Sequence, residues 1–597
     1  MTETIRIWRS PQSAFGHFLR QANPWQEETV TALDAYTDSE LARIAASGFN
    51  AIWVHGNLNH VVRTEVFPEL GPDAELHQQR LIALVARAGR LGIKVYLYCQ
   101  PARAIPRADA FWRLHPDAAG QAETICTESD QNIEVLSLCT STEAVQRYLY
   151  QAAAELARKV PDLGGLIIIT ASEYPAHCWT RRGRVIQGDG IFSDIASECP
   201  RCAQRKPATV VSEVIQQVRD GVRSVSADWK IIVWNWSWTF YVPAPCGEII
   251  AALPKDVVLL VDFERGGHKL IAGKDRIIDE YSLSYVGPSE QFNSSLAIAR
   301  THGIPVMAKL QFGTTHELAT VPNLPVLGNV FAKADAVREM GLAGFMGCWN
   351  FGNMITANTA GFNAFLAGDL PHRRGEALPA FAARYFPGCD PAGVAAAWLK
   401  FGEALDYYPF SLPYLYSGPT NFAFILPLQP GPLTGQPVGR CHLLDERGDD
   451  MGSAVVDFTI AELIAGFETL TSLWGAGLPT YAAALQSCQA AAAREELDTA
   501  TVCWHAFRST ANFCKVYQLQ RQWNAGMLPE YQSIVRDELE NLQAVLPILR
   551  RDQRFGYHIE AHGYQYDAAS VAAKIESLTE QMECSRAIVK SQTEAGS

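Results

Sequence analysis

Eight short apolar runs, separated by amphipathic helical segments, constrain the fold of this chain more than any other feature of its sequence. The runs are rich in Val, Ile, Leu and aromatic residues, which is typical of strands buried on both faces of a parallel sheet. We expect these strands at Phe15–Leu19, Ala51–His55, Val95–Cys99, Leu166–Thr170, Ile231–Asn235, Val257–Asp262, Val306–Leu310 and Gly344–Cys348.

Most of the helical segments end at a glycine just before the next strand. The five glycines are Gly48, Gly92, Gly164, Gly303 and Gly341. A glycine with a left-handed backbone is a common way to end a helix in an αβ loop. Eight strands alternating with helices predict a (β/α)8 TIM barrel over residues 1–372. The alternative, an open doubly wound sheet, usually has a Gly-rich phosphate loop after its first strand, and this chain has none there.

The chain changes character near residue 373. Its 597 residues exceed what one hydrophobic core can organise, so more than one domain is expected. Beyond residue 373 strand patterns nearly vanish, and Ala, Leu, Glu and Gln dominate. The sequence therefore predicts a helical C-terminal domain over residues 373–597 that packs on the barrel.

Charge and composition exclude several classes of partner. The net charge of −13 argues against binding to nucleic acid or to an anionic membrane, because both favour a basic face. The N-terminus shows no signal-peptide pattern, and no apolar run is long enough to span a bilayer. Several of the 14 cysteines lie in apolar segments, as expected for buried free thiols in a reducing compartment. We therefore expect a cytoplasmic protein, and an oligomer of identical chains is compatible with the sequence.

The ends of the predicted strands carry the residues that suit sugar chemistry. A TIM barrel places its active site at the C-terminal ends of its strands. Aromatic faces stack on the C–H surfaces of sugars, while amide and charged groups bind their hydroxyls. The predicted substrate-binding residues are Trp53, His55, Tyr98, Asn235, Trp236, Arg265, Gln311, His316, Trp349 and Asn350.

Carboxylates follow three of the same strands. Glycoside hydrolysis needs an acid to protonate the leaving oxygen and a second carboxylate as nucleophile or base. Glu173 follows an entirely apolar strand, where desolvation would favour the protonated form that a general acid needs. The second carboxylate is expected to be Asp262, Glu264 or Glu317. The alternative role for each is structural, as a helix cap or an ion-pair partner.

These features together resemble the TIM-barrel exo-glycosidases. The Glu after strand four, the Trp- and Asn-rich strand five and the Cys-Trp-Asn-Phe-Gly end of strand eight are similar to the group of alpha-glucuronidases and family 20 beta-N-acetylhexosaminidases. The segment Asp552–His558 also resembles the end of the helical domain of alpha-glucuronidases. The resemblance implies that Glu173 is the general acid. The hexosaminidases have Asp before this Glu, whereas this chain has Ser172, so substrate-assisted catalysis is not implied.

A second cluster has the spacing of metal ligands. His177-Cys178 is followed by a Cys-x-x-Cys pair at Cys199 and Cys202. Cys-x-x-Cys is half of a structural zinc site, and a nearby Cys and His could complete four ligands. Unpaired thiols or a redox pair are the alternatives.

The sequence therefore predicts a glycoside hydrolase that removes single sugars from the ends of short oligosaccharides. No cofactor is expected for catalysis, and zinc is expected only in a structural role. Two other functions fit the same features: a barrel isomerase or lyase acting on sugar acids, and a carbohydrate-binding protein without catalysis.

Overall fold

The computed structural model describes residues 4–13, 28–101, 103–126, 132–170, 174–179, 197–240 and 242–595. In these ranges the strands are β1 (Ile5–Trp8), β2 (Ala51–His55), β3 (Lys94–Cys99), β4 (Ile105–Pro106), β5 (Ala119–Cys126), β6 (Asn132–Leu138), β7 (Gly165–Ile169), β8 (Lys230–Trp234), β9 (Val258–Asp262), β10 (Gly267–Ile271), β11 (Lys274–Ile278), β12 (Val306–Leu310), β13 (Gly344–Gly347), β14 (Tyr557–His558) and β15 (Gly563–Tyr564).

The helices alternate with the strands at first and dominate the second half of the chain. They are α1 (Glu28–Ala35), α2 (Asp38–Ala46), α3 (Leu58–Val61), α4 (Ala74–Gly89), α5 (Phe111–Leu114), α6 (Glu143–Lys159), α7 (Pro207–Arg223), α8 (Gly247–Ala252), α9 (Glu290–Thr301), α10 (Leu327–Met340), α11 (Ala357–Ala367), α12 (Arg374–Tyr385), α13 (Pro391–Leu405), α14 (Leu412–Ser417), α15 (Ile460–Leu485), α16 (Ala491–Gln520), α17 (Leu528–Arg551) and α18 (Ala568–Ala595).

Eight parallel strands close into a barrel in the order β1-β13-β12-β9-β8-β7-β3-β2. This confirms the predicted (β/α)8 fold, followed by a mainly helical C-terminal region. Five of these strands, β2, β7, β9, β12 and β13, are buried along their whole length, as expected for strands covered on both faces. All eight barrel strands point their C-terminal ends to the same side, where a TIM barrel carries its active site.

The first barrel strand is earlier in the chain than the sequence pattern suggested. Strand β1 is Ile5–Trp8, which pairs with β13 on one side and β2 on the other. Its first two residues are half-buried and its last two are buried, and the side chain of Arg6 donates to the backbone oxygen of Gly48. The predicted strand Phe15–Leu19 lies outside the described residues.

Two βα connections contain sheets of their own. The connection after β3 holds an antiparallel sheet in the order β4-β6-β5. The connection after β9 holds the antiparallel hairpin β10-β11. Each of these connections begins directly after a barrel strand.

Gly165, at the start of β7, shows how tightly the barrel strands approach each other. Its φ is +141°, and a Cβ added there would lie 1.8 Å from the backbone oxygen of Lys230 on β8. Any larger residue would therefore displace one of these two paired strands.

The described chain divides into two compact units, each with its own core. The first comprises Met1–Phe263, Pro288–Leu310 and Met340–Cys348, and it contains all eight barrel strands. The second comprises Glu264–Gly287, Gln311–Glu339 and Trp349–Ser597. Within the second unit α13 packs against α15, and α15 against α16; Phe401 stacks on Trp474 with ring centroids 4.5 Å apart. The predicted boundary between a barrel domain over residues 1–372 and a helical domain over residues 373–597 stays a prediction.

The helices of the described ranges were compared with the requirements of a membrane span. None of them combines the length and the apolar character that crossing a bilayer requires.

Candidate active site

Five aromatic side chains of the first unit form a continuous cluster where strands β2, β3 and β8 end. Ring centroids are 5.2 Å apart for Trp53 and Tyr98, 5.7 Å for His55 and Tyr98, and 6.2 Å for Tyr98 and Trp234. Trp236 extends the cluster, with its ring centroid 5.7 Å from that of Trp234. Four of the predicted substrate-binding residues are therefore brought together. Of the five, only Trp236 is half-buried rather than buried, so its ring is the most accessible for stacking on a sugar.

Asp262 lies at the C-terminal end of β9, beside this cluster. The indole Nε1 of Trp234 donates a hydrogen bond of 2.9 Å to its Oδ1. The predicted binding residue Asn235 accepts a long bond of 3.4 Å at Oδ1 from the backbone nitrogen of Asp262. Asp262 is buried, with 2% of its surface exposed. The bond from the indole orients the carboxylate.

The segment after β8 also reaches the strand that precedes Glu173. Trp238 Nε1 donates a 2.9 Å hydrogen bond to Oγ1 of Thr170, the residue that directly follows β7. Glu173 itself lies outside the described residues. The residue after it, Tyr174, is buried under the guanidinium of Arg103, which lies 3.9 Å from the ring centroid. Residues on both sides of Glu173 are therefore anchored in the first unit.

A buried ion pair supports the aromatic cluster from the start of the chain. Arg9 Nη1 lies 2.8 Å from Glu28 Oε1, and both side chains are almost completely buried. The guanidinium carbon of Arg9 lies 4.2 Å from the ring centroid of Trp53. The backbone nitrogen of His55 donates a 2.6 Å bond to Glu28 Oε2. Arg9 and Glu28 thus hold Trp53 and His55 in place. The sequence pattern did not indicate this role, because neither Arg9 nor Glu28 lies at the end of a predicted strand.

Glu264, in the second unit, is the acid of a buried ion pair. Its Oε1 lies 2.5 Å from Nζ of Lys333 on α10, and both side chains are fully buried. The same oxygen accepts a 3.0 Å bond from the backbone nitrogen of Gln311. Gln311 uses its side-chain amide to donate to the backbone oxygens of Thr314 and Phe351. These two predicted site residues therefore hold neighbouring loops in position.

The carboxylate of Glu317 is fully engaged with two segments of the second unit, residues 282–284 and its own neighbour Thr315. Its carboxylate accepts bonds from the backbone nitrogens of Leu283 and Ser284 and from the hydroxyls of Ser282 and Thr315, at 2.8–3.0 Å. The side chain is fully buried. Four donors on one carboxylate satisfy most of its acceptor capacity, which is typical of a structural role.

Three further predicted substrate-binding residues lie in the second unit: Arg265, Trp349 and Asn350. Arg265 forms an ion pair with Asp279, with Nε 2.7 Å from Oδ1. Trp349 is nearly buried, with 6% of its surface exposed. Asn350 is also buried, and neither polar atom of its side-chain amide has a hydrogen-bond partner among the described residues. A buried amide without partners is unfavourable unless a ligand or water satisfies it. Asn350 is therefore the predicted binding residue of this unit best suited to receive a hydroxyl.

His316 belongs to a cluster that could hold a metal ion. Ligand atoms of His316, Cys441 and His558 all lie within 4.8 Å of one another, and all three residues are buried. Nδ1 of His316 lies 3.3 Å from Sγ of Cys441, and its Nε2 lies 3.5 Å from Oε2 of Glu560. Burial, together with the neighbouring His558, holds the pKa of His316 well below its ordinary value. The imidazole is therefore neutral and can act as a ligand.

Glu280 is a carboxylate of this second unit that sequence reasoning did not select. Its Oε2 accepts a 2.6 Å bond from the hydroxyl of Tyr416, whose ring centroid lies 5.1 Å from that of His316. Burial raises the pKa of Glu280 to about 7. Glu280 lies between β11 and α9 and not at the end of a barrel strand, so the alternating pattern of strands and helices did not indicate it.

The cysteine cluster differs from its predicted composition in one member. Cys178, Cys199 and Cys202 lie together as expected, but the fourth member is Cys139, not His177. His177 is not a member of the cluster, and its Nδ1 accepts a bond of 3.2 Å from the backbone nitrogen of Trp179. Cys139 was missed because it lies near the end of β6, far from the Cys-x-x-Cys pair in sequence.

Comparisons with known proteins give the fold. No protein-family model and no curated protein matches the chain. The solved structure of a GH138 enzyme targeting pectin rhamnogalacturonan II is 9% identical with a TM-score of 0.52, and the match covers 97% of this chain and 68% of that one. The exo-beta-1,4-mannosidase Op5Man5 from Opitutaceae bacterium strain TAV5 is 15% identical with a TM-score of 0.35, covering 67% of each chain. At 9% identity, the match to the GH138 enzyme shows a shared fold over nearly the whole chain and no more than that.

Proposed function

We propose that the protein is a glycoside hydrolase in which Glu173 is the general acid and Asp262 the second carboxylate. The observation that carries this proposal is the pair of indole hydrogen bonds from one segment. Trp234 holds Asp262, and Trp238 holds Thr170, three residues before Glu173. The ends of the fourth, fifth and sixth barrel strands are thereby linked at the side where barrel enzymes place their chemistry.

Asp262 is favoured over the other two candidates by what each carboxylate contacts. Glu264 neutralises a buried lysine, and Glu317 accepts four hydrogen bonds, three from residues 282–284 and one from Thr315. Releasing either from its partners would leave a buried charge or buried donors unsatisfied, at a cost of several kcal/mol. Asp262 lies instead next to the aromatic cluster, where a sugar ring can stack.

In the proposed reaction, the Glu173 carboxylic acid donates its proton to the leaving glycosidic oxygen. Asp262 then either attacks the anomeric carbon or removes a proton from the attacking water. Carboxyl groups about 5 Å apart produce retention of configuration, and those about 6.5–9.5 Å apart produce inversion. The aromatic groups nearby exclude water and so strengthen the interaction of both carboxyl groups with the charge that develops on the sugar.

The proposed substrate is the end of a short oligosaccharide. The aromatic cluster is mostly buried, which suits one terminal sugar better than a long chain lying across an open surface. The GH138 enzyme targets a pectin, and the motifs of the sequence were interpreted as similar to those of alpha-glucuronidases, so both neutral and acidic sugars belong among the candidates.

The test is a panel of nitrophenyl glycosides of neutral, deoxy and uronic sugars in both anomers, with labelled neutral and pectic oligosaccharides. We expect hydrolysis of at least one class, with release of single sugars from one end of the oligosaccharide. Asp262→Asn should lower kcat by about 10²–10⁴-fold on the best substrate. The matched control is Asp256→Asn, because Asp256 precedes the same strand at the opposite end and pairs with Arg223.

Three outcomes would contradict the proposal. Sugar binding in calorimetry without hydrolysis of any glycoside indicates a binding protein. Metal-dependent conversion of a sugar acid indicates an isomerase or a lyase. Equal activity of the Asp262→Asn and Asp256→Asn variants removes Asp262 from the mechanism.

A further inference from the structure

Four buried cysteines of the first unit converge from three separate parts of the chain. Cys139 directly follows strand β6, Cys178 lies in the connection after β7, and Cys199 and Cys202 lie just before α7. Each has at most 3% of its surface exposed. Val210, on α7, completes the buried cluster around them. The Cys-x-x-Cys pair is therefore joined by two more cysteines from other segments of the chain, which gives four thiols at one place.

The distances between the sulfur atoms match those of a tetrahedral metal site. All four Sγ atoms lie within 4.8 Å of one another. Cys139 Sγ is 3.7 Å from Cys199 Sγ and 3.9 Å from Cys202 Sγ. A zinc ion with four Zn–S bonds of about 2.3 Å places its sulfurs about 3.8 Å apart. A disulfide instead requires two sulfurs about 2.05 Å apart.

Groups around the cluster suit thiolates rather than neutral thiols. Arg201 Nε donates a 3.2 Å bond to Cys139 Sγ. The hydroxyl oxygen of Ser141 lies 3.2 Å from Cys202 Sγ, so it can donate to that sulfur. A zinc ion with four thiolates carries a net negative charge, and an adjacent guanidinium offsets part of it. Donors of this kind orient the ligands of a metal site.

The backbone also closes tightly around the cluster. A Cβ added to Gly120, on β5, would lie 2.5 Å from Cys178 Sγ and 2.9 Å from the backbone oxygen of Ser137. Glycine at position 120 therefore allows the β5-β6 sheet to approach Cys178. The side of the cluster next to that sheet is fully packed.

We propose that Cys139, Cys178, Cys199 and Cys202 bind one Zn²⁺ in a structural site. Four protein ligands leave no coordination position for water or substrate, so the ion has no part in the chemistry of the barrel. It joins the end of the β4-β6-β5 sheet to the connection between β7 and α7. This proposal does not depend on the proposed glycosidase activity, because it concerns residues outside the aromatic cluster and Asp262.

The direct measurement is the metal content of the full-length protein purified under reducing conditions. We expect about one equivalent of zinc per chain. Protein from which the zinc has been removed should bind Co²⁺ with the near-ultraviolet thiolate-to-cobalt charge-transfer band and the visible bands of tetrahedral coordination. These measurements need no variant, so they do not depend on whether a mutated chain folds.

Two variants separate the observed ligand set from the predicted one. Cys139→Ser should lose zinc to a chelator far faster than the wild-type protein and should unfold at a lower temperature. His177→Gln should retain a full equivalent of zinc, because His177 is not a ligand. The proposal is overturned if the reduced protein contains no zinc and binds no Co²⁺, if mass spectrometry shows disulfides among the four cysteines, or if His177→Gln loses the metal while Cys139→Ser retains it.

Discussion

The indole of Trp234 donates a 2.9 Å hydrogen bond to the carboxylate of Asp262. The two residues end neighbouring barrel strands, β8 and β9, which pair in parallel with Trp234 opposite Leu260. The same indole belongs to the aromatic cluster at the strand ends, so one side chain both orients the carboxylate and builds the sugar-binding surface. Replacing the indole by a phenyl ring therefore removes the hydrogen-bond donor to Asp262 and keeps an aromatic side chain in the cluster.

Trp234→Phe should lower kcat by roughly tenfold or more, since a hydrogen bond to a charged group contributes about 1.5–3 kcal/mol. The aromatic surface is largely kept, so KM should change less than kcat. Steady-state kinetics on the best substrate of the glycoside panel measure both constants. Trp229→Phe is the matched control, because its indole donates to the backbone oxygen of Pro161 before β7, away from the site. An equal loss of kcat in both variants would show that Trp234 acts only through packing.

The buried pair of Glu264 and Lys333 should matter for stability rather than for chemistry. Glu264→Gln and Lys333→Met each leave a buried charge without this partner, so each should destabilise the fold by about 3–5 kcal/mol. The double variant should lose less than the sum of the two single losses. Urea denaturation of the four proteins gives the comparison.

The control for these stability measurements is Lys400→Met, which breaks the more exposed ion pair with Glu403 on α13. It should change stability by less than about 1 kcal/mol. Strictly additive losses for Glu264→Gln and Lys333→Met would contradict a direct coupling between the two side chains.

Glu280 should make the fold less stable as pH rises. Its pKa is raised by burial from 4.5 to about 7. Below pH 4.5 both the folded and unfolded states hold the proton, and above it the unfolded state releases the proton first. The free energy of unfolding therefore falls between pH 4.5 and about 7 and changes no further above that, a loss of about 3 kcal/mol at one carboxyl.

Glu280→Gln mimics the protonated form, so its stability relative to the wild-type protein should increase across this range. Comparison with the wild-type protein is essential, since the lowered pKa values of buried His442 and His558 weaken the fold as pH falls below 6.5. Glu496→Gln should behave similarly, because burial also raises the pKa of Glu496 to about 7. A pH-independent difference between Glu280→Gln and the wild-type protein would contradict this account.

The barrel was predictable because each of its strands is a local feature of the sequence. Ala51–His55 was predicted at its observed limits because it begins with four consecutive apolar residues. Val306–Leu310 was also predicted at its limits, because three consecutive apolar residues precede Lys309. Strand β1 was not, because Ile5–Trp8 includes Arg6 and does not form a continuous apolar run. Helix α15 runs through Pro479, although a proline inside a helical pattern normally predicts an end.

The candidate site was predictable only where a strand end marked it. The aromatic cluster and Asp262 follow directly from strand positions. The partners that decide the role of each carboxylate did not, because Lys333 pairs with Glu264 across 69 positions of sequence. Cys139 is likewise 60 positions from Cys199. Such pairings depend on how elements pack, which local patterns do not encode.

The role of Glu173 as the general acid is tested by measuring how the loss of kcat/KM in the Glu173→Gln variant depends on the leaving group. A general acid matters for a sugar or alcohol leaving group, which must be protonated, and little for dinitrophenolate, which leaves without a proton. We predict that Glu173→Gln lowers kcat/KM on an oligosaccharide by about 10²–10⁴-fold. The same substitution should lower kcat/KM on the matching dinitrophenyl glycoside far less. Normal turnover of the oligosaccharide by Glu173→Gln, or an equal loss on both substrates, would contradict the assignment of Glu173 as the general acid.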